Sequence, residues 1–177
     1  RYAVESWAPM LMKESFDLET DTAGYISSLF DIFGFSSVLI SGFVTDRLWS
    51  GRRATLAFIL AIGMVLSALY LRILGPTGVF HFGVGLALIG FTLYGPDSLL
   101  SAVGAIDVGT RKGAATAAGI INGLGSLGAL LQEELLGYLK THHSTDSVFL
   151  ALVIVAGLGA VGTGVLWRWS RSGRAAF

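Results

Sequence analysis

The chain has 177 residues, 53% hydrophobic and only 14% charged, with 24 glycines and no cysteine, and its mean hydropathy is +0.70. That mixture is too apolar for an ordinary water-soluble domain of this length. The 12 basic and 12 acidic residues cancel, so the charge calls for no nucleic acid or other polyanionic partner, and the lack of cysteine excludes disulfides, thiolate nucleophiles and cysteine-ligated metals.

In chain order, residues 1–12 read as the last turns of a helix whose beginning is missing. Trp7 suits a membrane interface, and Pro9 is tolerated inside a membrane helix. There is no initiator Met and no leader pattern at Arg1, so a fragment or processed piece is expected. An acidic run, Glu14, Asp17, Glu19 and Asp21, follows. A bilayer core is crossed by about 20 apolar helical residues, and five stretches reach that length, at about residues 22–45, 54–74, 79–106, 113–138 and 147–167. They are too long for barrel strands, and lipid-exposed backbone must satisfy its own hydrogen bonds, so the expected class is an all-α membrane protein.

Basic residues in short loops set the orientation. Arg47, Arg52 and Arg53 follow the first complete span, Arg111 and Lys112 the third, and Arg168, Arg171 and Arg174 the fifth. These eight share one side, expected to be cytoplasmic together with the C-terminus. Lys13, Arg72 and Lys140 fall on the other.

The spans differ in kind. Those from Ala54 and Ser147 are almost uniformly apolar and suit lipid-facing positions. The span from Thr22 instead sets Gly24, Ser27, Asp31, Gly34, Ser41 and Thr45 on one face, interrupted only by Val38. The span from Val79 does so with Gly83, Ala87, Gly90, Tyr94, Asp97 and Ser101, where Pro96 can shift the phase, and the span from Gly113 with Ala115, Gly119, Asn122, Ser126, Ala129 and Glu133. Small residues of this kind are more often close-packing seams than cavity walls. Asp31 and Asp97 are different, because a charge near the bilayer centre costs about 2.5–3.5 kcal/mol and such groups pair inward or line a pathway.

Other signals carry little. Gly123, Gly125 and Gly128, like Gly157, Gly159 and Gly162, spell a dinucleotide fingerprint, but both lie inside long apolar helices and not between a strand and a helix. Helix packing is their expected role. His142 and His143 sit in a short polar loop without a third ligand, His81 lies at one end of a span and reads likewise, and a wet rim accounts for Gln132, Glu133 and Glu134. No cofactor is expected. An intramembrane enzyme would need a nucleophile and base, or a metal triad, at mid-depth, and neither pattern occurs.

Three groups of residues carry a resemblance. Arg1-Tyr2, then Trp7-x-Pro9, then Lys13-Glu14 resembles the seventh-helix motif of the organophosphate:phosphate antiporters, the carriers of glycerol-3-phosphate, hexose phosphates and phosphoglycerates. Gly42-x-x-x-Asp46-Arg47 with Gly51-Arg52-Arg53 is similar to the loop that major-facilitator carriers place between the second and third helices of each half. Leu93-Tyr94-Gly95-Pro96, then the run from Lys112 to Gly119, is similar to the tenth and eleventh helices of the same antiporters. The resemblance implies the C-terminal six-helix bundle of a major-facilitator fold, its first helix truncated and its N-terminal bundle absent.

It further implies that Arg1 binds substrate, working with a second arginine from the N-terminal half. A guanidinium suits the task, being a permanently charged planar fork of donors that matches a phosphate dianion. Tyr94 matches a cavity tyrosine and Asp31 an acidic residue that balances the arginines; Asn122, on the polar face of its span, joins them as a candidate contact. Asp46, Arg47, Arg52 and Arg53 would latch the cytoplasmic ends. Two departures stand out: Ser6 replaces an acid of the family, with Glu5 one position earlier, and Ser126 stands where some relatives have tyrosine. The implied function is exchange of a phosphorylated metabolite for inorganic phosphate by alternating access in a bilayer, expected to be a bacterial cytoplasmic (inner) membrane. A hexose-phosphate sensor built on the same fold is the second reading.

Overall fold

The computed structural model describes residues 2–48, 53–103 and 114–171. Among them six helices follow one another without a strand: α1 (Tyr2–Phe16), α2 (Thr20–Phe43), α3 (Arg53–Leu74), α4 (Val79–Ser98), α5 (Ala114–His142) and α6 (Thr145–Arg171). This is the all-α architecture that the long apolar runs call for. The stretches Thr20–Arg47, Arg53–Thr77, Val79–Ser101 and Thr145–Arg171 are each long and apolar enough to cross a membrane. At 29 residues, α5 is longer still, but Asn122, Gln132, Glu133 and Glu134 make it more polar.

Between α1 and α2 the chain reverses at Asp17, whose φ of 51° is left-handed, a conformation that aspartate tolerates better than most residues. Pro96 lies inside α4, and two turns of π type, Val44–Leu48 and Leu99–Val103, continue α2 and α4. Each widens a helix near the end that carries Asp46 and Arg47.

Most of the large buried apolar side chains gather toward the opposite end. Leu11 and Met12 of α1, Leu71 of α3, Phe82 and Leu86 of α4, Leu136 of α5 and Phe149 of α6 belong to one core cluster, in which Phe82 meets Phe16 and Phe149 edge-on at 5.9 and 6.2 Å. Burial on that scale is the main attraction available to a bundle packed by dispersion rather than by water exclusion.

Helices α2 and α4 approach most closely because glycine removes side chains where they cross. A Cβ on Gly90 would stand 3.0 Å from Phe30 Cα and inside the envelope of the Phe30 carbonyl. One on Gly34 would come 2.6 Å from the Tyr94 ring, and one on Gly95 would come 2.7 and 2.8 Å from the Ser41 and Ser37 hydroxyls. The small face of α2 is therefore a packing seam along Gly34, Ser37 and Ser41, all buried.

Helices α3 and α6 pair through Phe58 stacked on Trp167 at 5.2 Å. Where α3 ends and α6 begins, Arg72 donates from Nε to Asp146 Oδ1 and from Nη2 to Oδ2 at 2.9 and 3.0 Å. The expectation for the two glycine triplets needs correcting. Nothing lies within 4 Å of a Cβ built on Gly123, Gly125, Gly128, Gly157, Gly159 or Gly162, because α5 and α6 turn these faces toward open space among the described residues. Close approaches are made instead at Gly34 of α2, at Gly90 and Gly95 of α4, and at Gly164 of α6, where an added Cβ would stand 2.9 Å from the Phe58 ring.

Candidate functional site

Three helices meet at the hydroxyl of Tyr94. Its oxygen lies 2.7 Å from Asp31 Oδ1 on α2 and 3.0 Å from Glu5 Oε1 on α1, while its ring packs edge-on against Phe30 at 5.3 Å. Position follows from the seam just described: Gly34 leaves the space that the ring fills, and Asp31, one turn earlier on α2, then stands beside the hydroxyl. A phenol has one hydrogen to donate, and the shorter contact, to Asp31, takes it. Two of the expected substrate residues, Asp31 and Tyr94, are thus brought together, with Glu5 as an unforeseen third. Both carboxylates are exposed among the described residues, so the junction looks onto open space rather than into the core.

Next to it lies a cavity of about 630 Å³ between α4, α5 and α6, with Tyr2 of α1 at its edge. Asn122 lines it, together with Asp97, Ser101, Ser126 and Gln132. Gly125 and Gly128 line the same wall and explain part of its width, since neither places a Cβ in it. The expected stripe on α5 ends on Glu133, whereas the cavity face runs through Gln132. Both readings keep helical spacing, so the sequence alone could not separate them.

Glu133 is used differently. Its Oε2 accepts a hydrogen bond of 2.8 Å from Trp7 Nε1 on α1, and its Oε1 is buried with no hydrogen-bond partner among the described residues. Seven residues further along both helices, Lys140 of α5 forms an ion pair with Glu14 of α1. A wet rim does not account for Glu133. Replacing Trp7 with Phe strips the remaining partner from a carboxylate that is mostly shielded, a loss of about 1–3 kcal/mol. We expect a lower thermal midpoint for the Trp7→Phe full-length protein in detergent; an unchanged midpoint would mean that water satisfies Glu133.

At the other end, Asp46 and Arg47 stand exposed on the widened turn after α2, where the Arg47 guanidinium lies over the Phe43 ring at 5.8 Å. Arg53 opens α3. Arg1 and Arg52 lie outside the described residues, so the expected phosphate grip and one member of the expected latch have no described geometry. No group of three or more His, Asp or Glu side chains suited to a metal occurs among the described residues.

The chain matches no family model and no solved structure. Among curated proteins it is 27% identical over 170 residues to a glycerol-3-phosphate transporter of Bacillus subtilis, covering 95% of this chain and 38% of that protein. It is 29% identical over 159 residues to a probable hexose phosphate transport protein of Chlamydia trachomatis, covering 88% and 34%. It is 28% identical over 162 residues to the membrane sensor protein UhpC of Escherichia coli, covering 91% and 36%. The matched stretch is the C-terminal part of each relative, and the chain spans about a third of their length. These relatives, transporters and a sensor rather than enzymes, are of the kind that the three groups of motifs resemble.

Proposed function

We propose that this chain supplies the C-terminal bundle of an organophosphate:phosphate antiporter, a carrier that exchanges a phosphorylated small metabolite for inorganic phosphate. The observation that carries the reading is the match, over nearly the whole chain, to transporters whose names specify phosphate esters. The Glu5–Tyr94–Asp31 junction supports it. Glu5 follows Arg1 by four residues in the sequence, and an acid close in sequence to a membrane arginine lowers the cost of keeping that charge out of water.

In this mechanism the bundle rocks against an N-terminal partner around a midplane site, and phosphate and ester take turns on the arginines. An empty site with two guanidinium groups resists closure through like-charge repulsion, so the carrier reorients only when loaded, which makes transport an exchange. Asp46, Arg47, Arg52 and Arg53 latch the ends on the cytoplasmic side, the side to which the basic loops assign them. The membrane is a bacterial inner membrane in this reading.

The match to a membrane sensor favours one alternative, detection of a hexose phosphate without transport. Counterflow separates the two. Full-length protein in liposomes loaded with labelled phosphate should release label when phosphate or a sugar phosphate is added outside; binding of a sugar phosphate without any release would replace the carrier with the sensor.

A further inference from the structure

A second cavity, of about 330 Å³, lies between α3, α4, α5 and α6. Met64 of α3, Leu93 and Leu100 of α4, Ile121 of α5, and Val155 and Gly159 of α6 line it. Two of its polar members have hydroxyls engaged by their own helices: Ser101 donates to the Asp97 carbonyl at 2.5 Å, and Thr163 to the carbonyls of Gly159 and Ala160, both at 3.0 Å. Asp97 lines the larger cavity as well, together with Ser101, Ile121 and Val155, so its charge belongs to the boundary between the two. Water settles in a cavity only where several polar partners meet it, and an empty void forfeits dispersion contacts along its walls. The space suits hydrocarbon.

Depth and charge identify which hydrocarbon. On α6 the cavity runs from Val155, close to the middle of the helix, to Thr163, a rise of about 12 Å. Steps of four residues carry the same stripe on through Trp167 to Arg171, whose guanidinium lies over the Trp167 ring at 5.1 Å. On α3, Arg53 stands two such steps before Ala61, which also lines the cavity, and the stack of Phe58 on Trp167 joins the two helix ends. Val155 to Arg171 spans about 24 Å along the axis, close to the depth of one leaflet from midplane to headgroup edge, about 20–22 Å. Nothing lies within 4 Å of a Cβ built on Gly159, and its neighbours Leu158 and Val161 are exposed, so this wall continues into the face that α6 offers to lipid.

The geometry points to this cavity as a binding site for an anionic phospholipid, one acyl chain seated against α6 and the phosphate held by Arg171, with Arg53 adding positive charge. A zwitterionic headgroup brings an ammonium of its own into that field, so a headgroup of net negative charge is preferred, by about fivefold for each arginine engaged. The inference stands apart from the carrier reading, since it needs only that the chain spans a bilayer.

The test places the full-length protein in phosphatidylcholine liposomes with a trace of photoactivatable lipid, either phosphatidylglycerol or phosphatidylcholine carrying a diazirine midway along one acyl chain. Labelled residues are then identified by mass spectrometry. The phosphatidylglycerol probe should label Met64, Leu93 and Leu100 about fivefold more than the phosphatidylcholine probe, while both label the exposed Leu158 and Val161 alike. Arg171→Gln should remove the preference. Gly159→Leu, at a position with room for a side chain, should fill the cavity and abolish its labelling while leaving that of Leu158 and Val161. Equal labelling of the cavity by the two probes, a preference that survives Arg171→Gln, or cavity labelling that survives Gly159→Leu overturns the inference. A cavity that neither probe labels overturns it too, the result expected if residues 172–177 or an N-terminal bundle fill the space instead.

Discussion

A full-length protein carrying Arg1→Lys should insert and fold normally yet release no labelled phosphate above background in the counterflow assay. Lysine keeps the charge but gives up the planar fork, and a compact ammonium cannot hold two phosphate oxygens at once or share a dianion with a second arginine in fixed geometry. Truncating one partner of a desolvated charged contact costs about 2–5 kcal/mol, enough to remove a turnover signal. Two controls make the result readable: the variant must reach the membrane in normal amount, and it must elute as a single species in detergent. Persistent exchange by Arg1→Lys would show that the phosphate is held elsewhere, and the resemblance at the start of α1 would lose its functional meaning.

The second large effect is structural. Gly90→Ala adds a single methyl group where α4 rests on the backbone of α2, and that methyl would penetrate the Phe30 carbonyl. Backbone cannot rotate aside as a side chain can, so the helices must separate along the seam that also positions Tyr94 against Asp31. Overpacking costs about 1–3 kcal/mol in ordinary cores, and contact with backbone places this site at the upper end of that range. We expect a markedly lower thermal midpoint in detergent and a loss of exchange in parallel. Gly24→Ala is the matched control, because nothing lies within 4 Å of its added Cβ. Equal behaviour of the two variants would mean that the α2–α4 crossing is wider than described.

The all-helical class was legible because it depends on an average: long apolar runs in a chain with few charges permit no other folded form in lipid. The Asp31–Tyr94 contact was half legible. Each residue stood out, one as a charge inside a span and the other through resemblance, but periodicity assigns faces within a helix and is silent on which faces meet. Glu5 entered only as a displaced acid, because nothing in α1 alone tells that it lies under Tyr94. Gln132 and Glu133 were both assigned to a wet rim for a related reason. Adjacent residues on a helix differ by about 100°, so one looks into the cavity and the other toward Trp7, and only the position of α1 decides between them. The glycine triplets misled for the converse reason: a small residue permits close approach without causing it.

The two links between α1 and α5 fall seven residues apart on both helices, Trp7 with Glu133 and Glu14 with Lys140, so the pair runs parallel in a common register. Sliding one helix along the other would break both links together, whereas a tilt of about 10° about the Lys140 end moves Glu133 by only about 2 Å, the two links being about 10 Å apart. From Lys140 back to Asn122 is about 27 Å at 1.5 Å per residue, and a tilt of about 10° over that arm would carry Asn122 some 5 Å, roughly one helical turn's pitch. A slight rotation at the Lys140 end would thus reshape the far wall of the cavity, with the Trp7–Glu133 link the first to yield.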